Sequence, residues 1–565
     1  MKPGVFLLAV LLVINAPAIT RYVDLNSPSP TPPYLEWTTA ATNIQDAIDA
    51  ALDGDLVLVT NGVYSTGGLV VHGDITNRVA VTKPITVQSV NGFEATVIQG
   101  YQVSGTTNGS GAVRCAYLVD GASLIGFTLT NGATSSSGGS LSPQLQGGGA
   151  YCETTNSFLK DCLIVGNAAY CLGGGVVGGR LTNCELRSNV ASVGRVYLSG
   201  GGGAYRSVLY LCLISSNIVH DLYGGGAMDS TLIDCLIVGN RNFSAAGFGA
   251  GGGVRGGVIT NCIVIGNQIG SGGGGHGGGV HGSLCFNSLI VSNAAMSGGG
   301  AANATLNNCV LVGNTATNAG GALGGSLINC SVVGNTAANE GGGIHSSSVN
   351  NCIVYFNEAS NYTSNRFLGS GAYNCVSPQT SGAGSFTNAP RFVDLFTGNL
   401  RLQSNSPCVN AGNNAFVSSN TDRDGRLRIF AGSVDIGAYE YQGPGTSEFI
   451  GWLQNHALPT DGSADFVDTD TDGMNNYGEW RSDTVPTNVL SVLRMVSANA
   501  SPVGANVSWQ SVTTRSYWLE RATNLGIGLP FEAIATNILG VAGTKTYTDA
   551  SATNGGPYFY RVGVQ

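Results

Sequence analysis

The stretch GGGAMDSTLIDCLIVGN, residues 224–240, decides the fold, because the chain repeats it as GGGVRGGVITNCIVIGN at 251–267. Each copy contains a glycine cluster, a short apolar segment and the ending C-x-[IV]-x-x-N. Related copies recur at intervals of 21 to 28 residues, and nearly all variation falls between the asparagine and the next glycine cluster. Such a period is typical of a solenoid. The terminal asparagines are Asn167, Asn189, Asn217, Asn240, Asn267, Asn293, Asn314, Asn335 and Asn357.

Each repeat predicts two short β-strands that bury one face. Side chains alternate along a strand, so Cys235 and Ile237 point the same way, inward. One repeat cannot cover this face by itself, whereas copies stacked about 4.8 Å apart share a continuous core. We expect the glycines to provide positive φ and close backbone approach at a corner. We expect each terminal asparagine to take a left-handed turn and to hydrogen-bond along the stack.

A cysteine or serine stands five residues before each of these asparagines. Ser288 fills the position once, and cysteine packs well as a small buried side chain, so we interpret this column as core packing. Export would permit disulfides, and adjacent coils would place Cα atoms near bridging distance. Cys152 and Cys171, which lie off the column, are the preferred candidates for a disulfide.

The first residues have the pattern of a secretory signal peptide. Lys2 precedes an apolar run from Val5 to Ile14, and Ala16-Pro17-Ala18 has the A-x-A form of a cleavage site. We therefore expect residues 1–18 to be removed and the mature chain to be secreted. No later run of about 18 apolar residues occurs, so we expect no integral membrane segment.

The composition excludes several classes of protein. The chain has 86 glycines, 10% charged residues and a formal net charge of −9. The glycines occur in clusters rather than at every third position, which excludes collagen. The acidic balance argues against nucleic acid as the partner.

A predicted capping helix precedes the repeats. Asn43 is its N-cap, and Ile44, Ala47, Ile48 and Ala51 form one apolar stripe. The stretch IQDAIDAALDGDLVLVTNGVY, residues 44–64, resembles the opening of the pectate-lyase-like right-handed β-helix superfamily. This resemblance implies an all-β, right-handed parallel β-helix. Pectate lyases of this shape use clustered aspartates for calcium and an arginine base, and the coils show no such aspartate cluster.

Two further resemblances extend over the rest of this region. The repeats look like those of secreted bacterial β-helix proteins and of chlamydial polymorphic outer-membrane proteins. Residues 400–441, from LRLQSNSPCVNAG to VDIGAYEY, closely resemble the end of proteins called choice-of-anchor Q. That family has no settled activity, so the resemblance implies an extracellular β-helix protein and assigns no catalytic residue.

A calcium-loop pattern, D-x-D-x-D-G-x₅-E, follows at 468–479. Carboxylate oxygens, one backbone carbonyl and a bidentate glutamate are the ligands that this loop offers to calcium. Pro459 and Pro486 leave no room for long flanking helices, so the loop looks more like those of dockerins and thrombospondin-type repeats. It predicts either a calcium-stiffened linker or a docking site for a partner. The expected ligands are Asp468, Asp470, Asp472, Met474 through its carbonyl, Asn476 and Glu479.

The predicted organisation has four parts. Residues 1–18 are the signal peptide, 19–443 the β-helix with its capping helix, and 444–489 a linker with the calcium loop. Alternating short strands predict a fibronectin type III-like β-sandwich at 490–565.

Insertions in solenoids gather on one face, which usually binds ligands. Aromatic side chains near the glycine clusters, Tyr170, Tyr197, Tyr223 and Phe248, are predicted to form one column, which either binds carbohydrate or only covers the bases of the loops. A second column, two residues after each glycine cluster, is predicted to face outward and contains Tyr151, Tyr205, Met228, Arg255, His281 and His345.

The function remains open between two classes at this point. The favoured one is a secreted or surface-associated protein that binds polysaccharide or mediates adhesion. The alternative is a polysaccharide lyase or glycoside hydrolase. Arg255 with His281 would suit a lyase, which needs a base and a charge neutraliser. Asp221 with Asp229 would suit a hydrolase, which needs two carboxylates.

Overall fold

The computed structural model describes residues 18–139, 141–191, 199–244, 249–270, 274–361, 364–377, 382–430, 432–442, 447–460, 464, 467–523, 531–553 and 556–564. The predicted signal peptide, apart from residue 18, lies outside these ranges. The chain divides into a first unit, residues 1–388 with 436–438, and a second unit, residues 389–435 with 439–565.

The first unit is a right-handed parallel β-helix. The coils contribute strands to three sheets, the third of which begins at residue 168. Strands pair in parallel with their counterparts one coil away, except that Leu69–Val70 pairs antiparallel with Thr76–Val81. In the largest sheet one column of strands is Thr20–Val23, Leu56–Val59, Thr86–Ser89, Ser123–Ile125, Phe158–Lys160, Arg180–Thr182, Val208–Tyr210, Thr231–Ile233, Val258–Thr260, Leu284–Phe286, Thr305–Asn307 and Ser326–Ile328. The neighbouring column is Leu69–Val70, Thr76–Val81, Val113–Leu118, Ala150–Cys152, Val176–Val177, Ala204–Tyr205, Ala227–Met228, Val254–Arg255, Val280–His281, Ala301–Ala302 and Ala322–Leu323, and the sheet ends with Ile344–Asn350 and Arg366–Ala372.

The other two sheets complete each coil. The second sheet is Gly62–Tyr64, Thr96–Gln99, Thr128–Thr130, Leu163–Val165, Glu185–Arg187, Leu213–Ser215, Leu236–Val238, Ile263–Ile265, Leu289–Val291, Val310–Val312, Ser331–Val333, Ile353–Tyr355 and Cys375–Val376. The third is Ala168–Ala169, Val190–Ala191, Ile218–Val219, Arg241–Asn242, Gln268–Ile269, Ala294–Ser297, Thr315–Asn318, Thr336–Glu340 and Glu358–Ala359. The strand ranges follow the repeat, so the fold class predicted from the sequence is confirmed.

The core runs through the stacked coils. Leu232 pairs with Ile259 in the first sheet and Ile237 with Val264 in the second, and all four side chains are fully buried. Strand alternation is the cause, because every second side chain points inward.

The asparagine column forms a buried hydrogen-bond ladder, as expected. The Oδ1 of Asn240 accepts the backbone N–H of Asn217 at 2.9 Å and its side-chain amide at 3.0 Å. The Nδ2 of Asn240 donates in turn to the Ile214 carbonyl at 2.9 Å. Each asparagine thereby satisfies backbone groups that the corner would leave unpaired.

The expected left-handed turn at these asparagines is wrong. The residue immediately before each asparagine takes the positive φ instead, for example Gly239 at +63° and Ser216 at +54°. A second left-handed corner lies just before the cysteine column, as at Asp234 with φ +53°. An asparagine whose side chain must point inward along the ladder leaves the left-handed position to its neighbour.

The glycine clusters behave as predicted. The first glycine of a cluster takes positive φ, as in Gly251 at +72°. Later glycines permit close approach of neighbouring coils, since a Cβ at Gly203 would lie 2.7 Å from the Gly226 carbonyl oxygen. Any larger residue there would separate the coils.

All 14 cysteines are buried and free. In the column, the Sγ of Cys235 donates to the Ile233 carbonyl at 3.2 Å. The disulfide expected between Cys152 and Cys171 is not formed, because Cys152 packs in the inner core while Cys171 packs in a separate cluster outside it.

A short helix, α1 (Ile44–Ala50), covers the start of the β-helix, as predicted. The Asn43 Oδ1 accepts the Asp46 backbone N–H at 3.0 Å, and Ile44, Ala47 and Ile48 are buried. The Lys83 ammonium donates to the Ala51 carbonyl at 2.6 Å at the other end of the helix, where positive charge is favourable.

The second unit contains two helices and several antiparallel strands. The helices are α2 (Ser447–Asn455) and α3 (Asn476–Ser482). They share a core to which α2 contributes Phe449 and Leu453 and α3 contributes Tyr477. The strands form the pair Phe392–Asp394 and Asn399–Leu402, the sheet Met495–Ser501, Gly504–Ser511 and Gly543–Asp549, and the sheet Glu532–Leu539, Ser516–Ala522 and Phe559–Val564.

Trp509 and Tyr517, one from each three-stranded sheet, are buried in one cluster. The assignment of this part to a fibronectin type III-like sandwich, and the domain limits at 443 and 489, stay predictions. Short 3₁₀ turns lie at Trp37–Thr39, Pro143–Leu145 and Asn414–Phe416.

Candidate functional site

The strand after each glycine cluster presents a ladder of side chains on the outer face of the first sheet. Along this ladder Tyr117 pairs with Tyr151, Tyr151 with Val177, and Val177 with Tyr205. It continues through Met228, Arg255, His281, Ala302, Leu323 and His345. The second column predicted from the sequence therefore forms a continuous ladder.

Part of this ladder is covered, which differs from the prediction of outward, solvated side chains. Tyr205 is 4% exposed and Met228 2%, because both pack with Cys171 and Leu172. These covering residues belong to loops that precede the glycine clusters. Strand alternation predicts the face of the sheet and contains no information about a loop that lies over it.

The predicted aromatic column is only partly within the described residues. Tyr170 and Tyr223 are half-buried against the cluster that contains Met228. Backbone bridges join Leu172 to Gly200 and Gly200 to Tyr223, so Tyr170 and Tyr223 do not occupy equivalent positions. The remaining members, Tyr197 and Phe248, lie outside the described residues.

A groove of about 330 Å³ lies along the ladder near Tyr151 and Tyr205. Exposed side chains of opposite charge, Glu153 and Arg206, border it. The Arg206 guanidinium lies 5.0 Å from the centre of the Tyr205 ring. The groove is lined by Leu141, Gln146, Tyr151, Cys152, Glu153, Thr154, Thr155, Val177, Gly178, Tyr205 and Arg206.

A buried arginine fixes the position of Tyr151. The Arg114 guanidinium lies 5.2 Å from the centre of the Tyr151 ring. It donates to the Asn77 Oδ1 at 2.7 Å and to the Gly147 carbonyl at 2.9 Å. Burial lowers the pKa of Arg114 to about 10, which leaves it charged at neutral pH. Tyr151 is therefore held before any ligand arrives.

Tyr117 and His72 continue this aromatic group. The Tyr117 and Tyr151 rings are stacked with centres 6.1 Å apart, and the His72 ring centre lies 5.5 Å from that of Tyr117. The Tyr117 hydroxyl donates to the carboxylate of Glu153. Burial and this carboxylate raise the pKa of Tyr117. Sequence reasoning missed these residues because the strand that carries Tyr117 has no glycine cluster before it.

The charged candidates lie farther along the same ladder. Arg255 donates to the Asp229 carboxylate at 3.1 Å and lies 4.4 Å from the centre of the Tyr223 ring. Asp229 has φ +48°, so the chain bends there. This bend brings Asp229 to Arg255 despite strand alternation.

His281 is the next member of the ladder after Arg255. Burial, Arg255 and His276 together lower the pKa of His281 to about 4. The imidazole is therefore neutral at ordinary pH. Asp221 lies in the loop before Tyr223, whereas Asp229 is already paired with Arg255.

The calcium-loop residues gather around one point in the second unit. Carboxylate oxygens of Asp468, Asp470 and Asp472 all lie within 4.8 Å of one another. Glu479, on α3, is fully buried. Within the described residues, neither of its carboxylate oxygens nor the Oδ2 of Asp470 or Asp472 has a hydrogen-bond partner. Burial and the three aspartates raise the pKa of Glu479 to about 8.

A buried glutamate beside three half-buried aspartates is costly without a cation, and the donor set fits a hard divalent ion. Gly473 takes the sharp turn, with φ +96°. Asn476 is differently engaged: its Nδ2 donates to the Ala464 carbonyl at 2.7 Å and its Oδ1 accepts the Thr469 hydroxyl at 2.9 Å. The Met474 carbonyl as a ligand stays a prediction.

The segment that resembles choice-of-anchor Q proteins contains a buried charge network. Asp422, Arg428, Asp435 and Glu440 are at most 5% exposed. The Asp435 carboxylate accepts the backbone N–H groups of Asn410 and Tyr441 at 2.7 and 2.6 Å. These carboxylates accept hydrogen bonds from backbone N–H groups of an irregular segment, as a neighbouring strand would do in a sheet. The motif therefore maintains the local fold.

No protein-family model matches the chain, and no curated protein matches it significantly. Among solved structures, pectate lyase Pel9A matches with a TM-score of 0.35 and 19% identity over 74% of this chain and 96% of that one. XylC in complex with xylose has a TM-score of 0.34 and 10% identity over 76% and 99%. A rhamnogalacturonan lyase has a TM-score of 0.31 and 13% identity over 73% and 95%. The fold is assigned from this chain's own strand register, and no residue role is transferred from these proteins.

The helices within the described residues are short. None has the length and apolar character that would carry it across a lipid bilayer.

Proposed function

We propose that this chain is an exported protein that binds an extracellular polysaccharide along the outer face of its β-helix. The groove at Tyr151 and Arg206 carries the proposal, because Tyr151 is only half-buried there and Arg206 is exposed. Tyrosine rings pack against the apolar faces of sugars, and charged side chains at the border hydrogen-bond to hydroxyl groups. Because Arg114 holds Tyr151 in place, a ligand would order little of the protein on binding.

The test is affinity gel electrophoresis of the mature chain on a panel of acidic and neutral polysaccharides. Tyr151→Ala and Arg206→Ala should each remove most of the retardation that the wild-type chain shows. The matched controls are Tyr210→Ala and Arg180→Ala, which change the same residue types on the neighbouring column of strands. Equal retardation of all five proteins would overturn the proposal, and so would no retardation by any polysaccharide, which would favour adhesion to a protein or cell surface.

We propose calcium as the ion of the loop at 468–479. Three aspartate carboxylates meet there, burial and these aspartates raise the pKa of Glu479, and the Glu479 oxygens have no hydrogen-bond partner among the described residues. Oxygen-only ligands of this number are typical of Ca²⁺. The loop would then stiffen the second unit by joining α3 to the aspartates.

A second candidate function is a polysaccharide lyase, favoured by the adjacency of Arg255 and the neutral His281. In such a reaction His281 would take the proton and Arg255 would stabilise the negative charge that develops. Its test is the gain of unsaturated-product absorbance on uronate polymers. Loss of that gain in both Arg255→Ala and His281→Ala would establish catalysis, whereas reducing ends without absorbance would indicate hydrolysis and lead to Asp221 and Asp229.

Export is part of the proposal, on the basis of the signal-peptide pattern and the resemblance to choice-of-anchor Q proteins. Expression with residues 1–18 in place should yield an extracellular chain whose first residue is Ile19. Retention of the whole protein inside the cell would contradict this part.

A further inference from the structure

An arginine-rich cleft lies in the second unit, apart from the β-helix groove. Its volume is about 800 Å³, within the range of pockets that hold small ligands. No feature of the sequence repeat points to it. It is lined by Asn399, Arg401, Arg426, Leu427, Gln442, Asn475, Tyr477, Gly478 and Arg481.

The cleft has a surplus of positive charge. Arg401 is paired with the Asp424 carboxylate through two contacts of 2.6 Å. Within the described residues, Arg426 and Arg481 form no ion pair. Two guanidinium groups without an ion pair among the described residues therefore line one cleft, and Arg481 also hydrogen-bonds to Tyr477, in a chain whose formal net charge is −9.

Anchored backbone holds both of these arginines. The Asp422 carboxylate accepts the backbone N–H of Arg426 at 2.9 Å, and Asp422 itself is fully buried. Arg481 is on α3, and its carbonyl accepts the Arg515 side chain at 2.9 Å. The backbone of the cleft is thus in place before a ligand binds.

The other polar groups of the cleft suit sugar hydroxyls. The Nδ2 atoms of Asn399 and Asn475 and the Oε1 of Gln442 make no hydrogen bond within the described residues. Each of these amides uses its other polar atom internally, as when the Asn475 Oδ1 accepts the Gly478 N–H at 2.8 Å. They consequently present oriented donors and an acceptor beside the two guanidinium groups.

We propose that this cleft binds an acidic sugar of a polysaccharide through its carboxylate or sulfate group. Guanidinium groups bind both anions through paired hydrogen bonds, and the amides would bind neighbouring hydroxyls. The site belongs to the second unit and shares no residue with the groove on the β-helix. Either site would bind without the other, so a failure of one leaves the other untouched.

The experiment is isothermal titration of the full mature chain in calcium-containing buffer with three short ligands. Trigalacturonate tests the carboxylate, a κ-carrageenan oligosaccharide tests the sulfate, and maltotriose is the neutral control. We expect at least one anionic ligand to bind, maltotriose not to bind, and the double variant Arg426→Ala, Arg481→Ala to weaken anion binding more than about tenfold. Which anion binds distinguishes uronate from sulfated glycans.

The matched control is Arg180→Ala with Arg391→Ala, which removes two exposed arginines outside the cleft. It should bind like the wild type, as should Tyr151→Ala. Arg426→Glu alone leaves α3 unchanged and should also abolish binding, which separates loss of charge from misfolding. Undiminished anion binding by the double variant and by Arg426→Glu, or equal binding of maltotriose, would refute the site.

Discussion

At the scale of single residues, the asparagine column shows how one side chain completes the hydrogen bonding of a corner. Asn240 receives two donors from Asn217 and gives one to Ile214. The side chain is fully buried, so no water replaces these bonds. A change at this position leaves several buried polar groups without partners at once.

Asn240→Ala should therefore lower the free energy of unfolding of the β-helix by about 2 to 3 kcal/mol, because buried unpaired groups cost more than a lost bond alone. Urea unfolding followed by circular dichroism measures the change. Asn156→Ala, at an exposed position, should lower the free energy of unfolding by less than about 0.5 kcal/mol. Similar midpoints for both variants would contradict the role of the ladder.

His281 gives a second prediction at this scale, on pH. Its pKa is lowered to about 4 in the folded chain, mainly by burial, whereas the pKa of an unfolded histidine is about 6.5. The unfolded state thus binds more protons between these values, so stability is present above about pH 6.5 and lost as the pH falls toward 4. Because the side chain is only partly buried, we expect about 1 to 2 kcal/mol to be lost.

The measurement is urea unfolding of the wild type and His281→Gln at pH 7 and pH 4.5. The wild type should lose more stability on acidification than the variant, and the histidine proton resonances should report the low pKa directly. Equal losses would show that His281 titrates normally in the folded chain.

At the scale of elements, α3 connects two features of the second unit. Glu479 is buried and its pKa is raised by burial and by the three aspartates, and Arg481 lines the arginine-rich cleft. Tyr477, which precedes both of them on α3, packs on Phe449 of α2 with ring centres 5.6 Å apart. A seven-residue helix is marginal by itself, so its position depends on such tertiary contacts.

Calcium should therefore raise the thermal midpoint of the second unit, since a ligand that binds only the folded loop stabilises it. Glu479→Gln should remove most of this increase, by several degrees, because it deletes the bidentate ligand. Scanning calorimetry with calcium and with a chelator measures the effect. Glu448→Gln, an exposed acid on α2, is the control, and equal calcium responses of the two variants would exclude the loop as the site.

At the scale of the whole molecule, the 14 buried thiols distinguish this chain from secreted proteins that rely on disulfides. Burial raises the pKa of both Cys115 and Cys152 to about 12. Both side chains therefore stay protonated at neutral pH, and a thiol reacts more slowly than a thiolate. The stacked core supplies the stability that disulfides provide in small exported domains.

We expect the native chain to release almost no chromophore with an aromatic disulfide reagent and the unfolded chain to titrate 14 thiols. Mass spectrometry after alkylation under denaturing, non-reducing conditions is the second readout. A count of 12 in the unfolded chain would mean that one pair is oxidised.

The repeat alone determined the coils, the buried asparagine and cysteine columns and the glycine corners. In a β-helix, contacting residues are one repeat apart, so periodicity in the sequence is also adjacency in space. The calcium loop could be predicted from the sequence for a related reason, because all its expected ligands lie within the single segment 468–479. The left-handed turn predicted at Asn240 was wrong because the preceding residue, Gly239, can take the same position, and Gly239 takes it in the folded chain.

Only the tertiary structure decided what lies over and beside these coils. Tyr205 and Met228 are covered by loops of irregular length, and Glu153 meets Tyr117 from 36 residues away. Arg426 and Arg481 converge although no repeat relates them. Loop paths depend on the packing of many side chains rather than on a period, and for that reason the covering of the ladder and the arginine-rich cleft emerged only from the folded chain.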